Sequence, residues 1–128
     1  MKRAESITPR SGELLLIVGT VKGVFIFKTD RTRRQFQIAG PYFKGQAVFS
    51  TAYLADSRTT RILVGHMSMH WGALVSWSDD FGASWHEPED GNVKFPAGSG
   101  LTLNAVWALE PAQGLAPSEV ARILPGLC

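Results

Sequence analysis

The chain contains 128 residues, and 13 Lys and Arg against 11 Asp and Glu give it a formal net charge of only +2 at pH 7. Its single cysteine, Cys128, excludes an internal disulfide framework and a cysteine-based metal site. No stretch reaches the ~18 apolar residues of a membrane span, and the basic, polar residues 1–10 lack the apolar core of a secretory signal. The sequence therefore predicts a cytoplasmic protein that makes no membrane contact.

The first third of the chain predicts a flexible tail and then three strands. Residues 1–12 are mostly polar and form the predicted tail. Residues 14–19 and 24–28 are apolar runs separated by a Gly-bounded turn, which is typical of a β-hairpin. Residues 35–38 add a short outer strand before Gly40 and Pro41.

The turn between the second and third of these strands is rich in arginine. Arg31, Arg33 and Arg34 lie close together there, but no aromatic residues alternate with them as they would in a stacking platform for bases. We therefore interpret this cluster as a solvated turn and predict no nucleic-acid partner.

The middle of the chain predicts a complete four-stranded antiparallel unit. Its strands are expected at residues 47–54, 61–65, 73–77 and 84–87. Residues 88–102 contain several Pro and Gly residues and form a crossing, after which residues 103–109 predict the first strand of another unit. Beyond Pro111 the pattern stops, apart from a weak helix start at Ser118.

The two strand-rich regions are related by an internal repeat. Three positions recur at an offset of 49 residues, namely Gly23 with Gly72, Thr29 with Ser78, and Phe36 with Trp85. Residues 16–19 also resemble residues 62–65 at an offset of 46, so the loop that follows should be three residues longer in the second copy. Short strands and Gly-containing turns at such a period are typical of β-propeller blades.

The second copy carries a recognisable turn motif. Ser78, Asp80, Gly82 and Trp85 have the spacing Ser-x-Asp-x-Gly-x-x-Trp. The Ser and Asp side chains can bond to nearby backbone N–H groups, Gly82 can supply a positive φ, and Trp85 can pack beneath the turn. This motif resembles the Asp-box, or BNR repeat, of sialidases and sortilin-like receptors.

The resemblance implies an all-β fold, a β-propeller fragment of about two to three four-stranded blades. Residues 13–40 would form a partial first blade and residues 41–90 a second blade with the Asp-box. Residues 91–128 would form the crossing, the first strand of a third blade and an irregular end. Open blade edges could support self-association.

The Asp-box and the preceding hairpin loop should lie at opposite edges of the blade. In an antiparallel meander, alternate turns fall at opposite edges, so the loop 66–71 faces away from the box. In sialidases the boxes lie away from the active site, and the resemblance thus implies a structural role for Ser78, Asp80, Gly82 and Trp85. The candidate ligand-facing residues are His66, His70 and Trp71.

Three interpretations of the loop 66–71 remain open from sequence. His66 and His70 could share a metal only with a ligand from elsewhere, since the loop has no carboxylate, so we predict no metal and no cofactor. The loop could instead contact a ligand, with Trp71 as the strongest candidate for stacking on a sugar, or it could simply be packed or solvated.

Two hypotheses for function follow. In the first, an intact parent protein acts on or binds glycans, while this chain holds no complete catalytic site. Glu87, Glu89 and Asp90 are the nearest carboxylates, but the converging arginines and the tyrosine nucleophile that sialidase resemblance requires are not recognisable. In the second, the domain is a noncatalytic scaffold that binds protein ligands, as sortilin-like domains are.

Overall fold

The structure, a computed structural model, describes residues 1–56, 58–89, 91 and 93–110. These residues form two β-sheets, and the described part of the chain contains no apolar helix of membrane-spanning length. The strands are β1 (Lys2–Ala4), β2 (Leu14–Thr20), β3 (Gly23–Thr29), β4 (Phe36–Tyr42), β5 (Ala47–Ala55), β6 (Thr60–Ser68) and β7 (Gly72–Ser78). The first sheet has the order β1-β4-β3-β2, and the second has the order β5-β6-β7.

The strand bounds reproduce the internal repeat. Strand β3 runs from Gly23 to Thr29 and β7 from Gly72 to Ser78, so both ends of the two strands are 49 residues apart. Each is paired antiparallel with the strand before it, as the hairpin pattern predicts. The all-β class and the two predicted antiparallel hairpins, β2 with β3 and β6 with β7, are thus confirmed in the described residues.

The two sheets pack face to face around one hydrophobic core. Every second residue of a strand points to the same face, and the inward positions of both sheets are apolar. Burying these side chains is the main favourable contribution to folding. The buried members of the core are Ile7, Val24, Ile26, Ala39, Val48, Ile62 and Val64.

The second sheet is covered on its other face as well. Leu63 and Val75 point away from the first sheet and pack against Val93, Val106 and Leu109 of the following segment. Strand β6 lies between β5 and β7 and is buried along nearly its whole length. A central strand covered on both faces exposes little more than its ends.

The prediction of a flexible tail at residues 1–12 is wrong. Strand β1 pairs in parallel with β4, the Arg3 side chain donates to the Gly40 carbonyl at 2.9 Å, and Ile7 is only 2% exposed. The short, mostly polar sequence conceals this role because Ile7 is its single fully buried side chain. One apolar residue has no periodicity that could be recognised.

The predictions of strands at residues 84–87 and 103–109 are also wrong. The strand expected at 84–87 is reduced to one bridge, in which His86 pairs with Trp77. Residues 103–109 form no strand, although Ala105 is buried. They are held partly by Ser50, whose hydroxyl donates to the Val106 carbonyl at 2.6 Å. The predicted helix start at Ser118 lies outside the described residues.

The Ser50 hydroxyl should stabilise the packing of residues 103–109. We expect Ser50→Ala to lower the free energy of unfolding by about 1–2 kcal/mol, because it leaves the Val106 carbonyl without its donor. Exposed Ser11 offers a matched control, since Ser11→Ala should change stability by less than about 0.5 kcal/mol. Urea denaturation of both variants checks this, and equal stabilities would contradict it.

Candidate functional site

The Asp-box residues form a closed set of hydrogen bonds. The Ser78 hydroxyl donates to Asp80 Oδ1 and accepts from the Gly82 N–H, each at 2.8 Å. The Asp80 carboxylate also accepts from the Ser84 N–H at 2.8 Å and from the Ser84 hydroxyl at 2.5 Å. Gly82 has a φ of 92°, a conformation that favours glycine. The side-chain to backbone bonds expected from the spacing are therefore present.

The turn joins the two sheets through aromatic residues. The ring of Trp85 lies 5.3 Å from that of Tyr42 and 4.9 Å from that of Phe43, both at the end of the first sheet or just after it. A Cβ atom on Gly82 would stand 2.6 Å from the Tyr42 hydroxyl, so the turn backbone lies directly against the tyrosine. The Tyr42 hydroxyl donates to the Glu5 carbonyl at 2.6 Å. The turn thus also contributes to holding the N-terminal segment.

The charge of Asp80 is consistent with this structural role. Hydrogen bonds from Ser84 and Ser78 hold the pKa of Asp80 below its usual value against an opposing effect of desolvation. Burial, and next the Asp80 charge, raise the pKa of Tyr42. The tyrosine therefore stays protonated and can donate to Glu5.

His66 is a core residue, and its prediction as a ligand-facing loop residue is wrong. It lies in β6 with 1% exposure, and its ring stacks on Phe43 at 4.2 Å. Its Nδ1 lies 2.7 Å from the Gln46 side-chain oxygen, and its Nε2 lies 2.8 Å from the Ser76 hydroxyl. With Gln46 as acceptor, Nδ1 carries the hydrogen and Nε2 accepts from Ser76. Both ring nitrogens are thus satisfied in the neutral form.

The reason is that β6 continues to Ser68, three residues beyond the predicted strand end at residue 65. The offset between the copies predicts three extra residues in the loop, but β6 has nine residues where β2 has seven. Two of the extra residues therefore lengthen the strand, and only residues 69–71 remain in the turn. His66 falls two positions after Val64, which places both on the face that packs against the first sheet.

His70 and Trp71 remain exposed at the tip of this hairpin. Trp71 is 72% exposed and Met69 is 96% exposed. The Ser68 hydroxyl accepts from the His70 and Trp71 N–H groups, both at 3.3 Å, and so helps to define the turn. The three candidate residues therefore have different environments, since His66 is buried whereas His70 and Trp71 are exposed to solvent.

A cavity of about 340 Å³ lies beside this turn. Gly72 and the segment from Val93 to Leu103 line it, and the Val93 N–H donates to the Ala73 carbonyl at 2.8 Å. That bond attaches the beginning of the segment to β7 close to the exposed Trp71. The hairpin turn and the crossing therefore lie close together, and their edge is the candidate ligand-binding site.

The acidic candidates do not form a catalytic constellation in the described residues. Glu87 and Glu89 are exposed, and Asp90 lies outside the residues that the structure describes. Within residues 1–56, 58–89, 91 and 93–110, no three His, Cys, Asp or Glu side chains are grouped as a metal site requires.

One ion pair at the Asp-box edge was not predicted from the sequence. Arg61 is 7% exposed and makes two 2.7 Å hydrogen bonds to the carboxylate of Asp79. Its guanidinium also lies 5.4 Å from the centre of the Trp77 ring. The repeat gives no signal for this pair, because Asp30, which stands at the position of Asp79 in the first copy, accepts from Thr32 instead.

Comparison with known proteins adds no family assignment. No protein-family model matches the sequence, and no curated protein is detectably similar to it.

Trp85 should be far more important for stability than Trp71. We expect Trp85→Ala to lower the free energy of unfolding by about 3 kcal/mol, because its ring packs between Tyr42 and Phe43. The same change at exposed Trp71 should cost less than about 0.5 kcal/mol. Urea denaturation measures both, and a cost below about 1 kcal/mol at Trp85 would contradict its structural role.

Stability should fall in mild acid because of His66. Burial lowers the pKa of His66 from 6.5 to about 4, so the unfolded state binds a proton more readily between these values. We expect stability to be complete above pH 6.5 and to decrease towards pH 4, by up to about 3 kcal/mol.

The imidazole titration of His66, followed by NMR, measures this directly. His70→Ala serves as the control for the stability profile, since His70 is exposed and the variant should keep the same decrease. A His66 ring that titrates near 6.5 would contradict the account.

Proposed function

We propose that the protein is an Asp-box β-propeller protein that binds glycans at the edge formed by residues 69–72 and the segment 93–103. The observation that carries the proposal is the position of Trp71, which is 72% exposed beside a cavity of about 340 Å³. A large aromatic face held in water is a suitable surface for the apolar C–H face of a sugar ring.

The chemistry of the turn supports a carbohydrate ligand. His70 adjoins Trp71 and supplies ring nitrogens that can donate or accept hydrogen bonds, as sugar hydroxyl groups require. Backbone groups of the Gly-containing segment 96–100 are exposed at the same edge. An aromatic platform with a few polar groups beside it is the usual composition of such a site.

The repeat supports the propeller part of the proposal. Strands β3 and β7, one from each sheet, have the same bounds at an offset of 49 residues, and the Ser78 hydroxyl of the second copy bonds to Asp80 and Gly82. Propellers contain about 4–8 such blades, so an intact parent would contain more blades than the two sheets described here.

We assign binding, not hydrolysis, to the described residues. Glycoside hydrolysis usually requires two carboxylates about 5–10 Å apart across the substrate. Asp80 is committed to Ser78 and Ser84 at the other edge, whereas Glu87 and Glu89 are exposed residues with no hydrogen-bond partner among the described residues. An activity on glycans would therefore belong to an intact parent protein.

A noncatalytic protein-binding scaffold is the second candidate. The specific observation in its favour is Met69, which is 96% exposed beside Trp71 and presents a flexible apolar side chain at the same turn. Within the described residues, β2 and β5 each pair with a strand on one side only, and Leu16 on β2 is 56% exposed. These open edges support our proposal that copies of the chain can associate.

We still predict that the protein is located in the cytoplasm.

Glycan binding should depend on Trp71 and not on other exposed tryptophans. We expect the wild-type protein to retain a subset of oligosaccharides on a glycan microarray and Trp71→Ala to bind them at least about tenfold more weakly, because the stacking surface is lost. Trp107 is 69% exposed and offers a matched control, since Trp107→Ala should bind normally.

Two results would contradict the glycan proposal. One is the absence of any retained oligosaccharide with folded wild-type protein, and the other is equal binding by Trp71→Ala and the wild type. Protein capture that requires both Met69 and Trp71, without glycan binding, would favour the scaffold instead.

A further inference from the structure

A second, larger cavity lies at the end of the first sheet that is away from the turn between β2 and β3. It has a volume of about 850 Å³ and opens where β2 begins, β3 ends and β4 begins. Its charged lining residues are Lys2, Arg10, Glu13, Lys28, Asp30 and Arg34. Four cations and two carboxylates give this cavity a formal charge of +2, which equals the net charge of the whole chain.

Both carboxylates already accept hydrogen bonds from neighbouring residues, and Glu13 also has a cationic partner. Glu13 Oε2 accepts from the Lys28 ammonium at 3.1 Å and from the Arg10 backbone N–H at 2.6 Å. Asp30 Oδ1 accepts from the N–H of Thr32 at 2.8 Å and from its hydroxyl at 2.5 Å. Glu13 and Lys28 therefore form an ion pair at the cavity, and Asp30 stabilises the turn to which it belongs.

Three cations in the cavity lack an acidic partner. Among the residues that the structure describes, Lys2, Arg10 and Arg34 form no ion pair. All three are exposed and come from separate segments of the chain. Lys2 is on β1, Arg10 precedes β2, and Arg34 lies in the turn after β3. Convergence of like charges is unfavourable unless solvent or an anion offsets it.

The turn beside the cavity carries further positive charge at a conformational cost. Arg33 has a φ of 54°, a left-handed conformation, and it occupies the repeat position at which Gly82 has a φ of 92°. The backbone bend of the Asp-box is thus kept, although the unstrained glycine is replaced by arginine. Arg31 replaces the box aspartate and extends along Gly12, towards the Arg10 segment. Arg31 and Arg33 therefore add positive charge to the turn beside the cavity.

From these observations we propose that the cavity binds a small ligand bearing a phosphate or sulfate group. Arginine side chains present planar, paired N–H donors that match the oxygens of such anions, and the charges of Lys2, Arg10 and Arg34 would surround the group. Gln35, Gln37 and Phe36 also line the cavity and would contact the uncharged part of the ligand. The volume accommodates a ligand of sugar size as well as the anion.

This site is separate from the glycan-binding edge that we propose. It lies at the end of the repeat that corresponds to the Asp-box turn, whereas Trp71 lies at the β6–β7 hairpin tip. If glycan binding at Trp71 failed, the proposal of an anion site would still stand. If the anion site failed, the glycan proposal would still stand.

Isothermal titration calorimetry at low ionic strength tests the proposal with four probes, which are inorganic phosphate, glucose 6-phosphate, glucose 6-sulfate and glucose. We expect the anionic probes to bind and glucose not to bind at this cavity, with affinity that weakens as salt is added. Binding of one sugar ester but not the other identifies which anion the site selects, and either result supports the proposal.

The variants locate the binding. The double variant Arg10→Gln with Arg34→Gln should bind the anionic sugars at least about tenfold more weakly, because two charged donors are lost. Arg58→Gln is the matched control, since Arg58 is an exposed arginine in a turn of the second sheet and its loss should have no effect. Circular dichroism establishes that each variant is folded.

Three outcomes would overturn the proposal. The first is the absence of binding of every anionic probe at roughly 10 mM, a concentration that detects weak sites. The second is unchanged affinity in the folded double variant. The third is an equal loss of affinity in Arg58→Gln, which would indicate nonspecific attraction to the basic surface rather than a site.

Discussion

The structure depends on the hydrogen-bonded turn in which Ser78, Asp80 and Gly82 hold the backbone so that Trp85 lies between the two sheets. Without that bend, the chain after β7 would continue away from the core instead of returning to Tyr42 and Phe43. The bonds are local, since each joins residues only two to four positions apart. A short polar motif thereby fixes a contact between two sheets that are distant in sequence.

The covered faces of the sheets limit where function can occur. Strand β6 packs against the first sheet on one side and against residues 93–109 on the other, so a polar side chain on either face must be satisfied internally. His66 meets this requirement through Gln46 and Ser76 and is thereby removed from ligand chemistry. Ligands can approach the ends of the strands, where Trp71 and the basic cavity lie.

The sequence predicted those features that depend on local or periodic patterns. The hairpins follow from alternating apolar runs and glycines, and the bonds of Ser78 and Asp80 follow from their spacing. The exposed positions of His70 and Trp71 also follow from their place in a turn. Each of these inferences needs only residues that are close together in the chain.

Features that depend on distant partners could not be predicted in the same way. His66 is buried because β6 runs past residue 65, and its partners Phe43 and Gln46 lie twenty or more residues away in the chain, where no local pattern links them to it. Pairing of β1 with β4 joins segments more than thirty residues apart, with only Ile7 as an apolar anchor. The basic cavity likewise combines Lys2, Arg10 and Arg34, which have no common motif.

The central claim is that the Asp-box edge is structural and the Trp71 edge binds ligand. The most direct measurement is an NMR titration that follows the indole N–H signals of the four tryptophans while an oligosaccharide selected on the array is added. The account predicts a large, saturable shift for Trp71 and none for Trp85. A saturable shift of Trp85 with an unchanged Trp71 signal would contradict it.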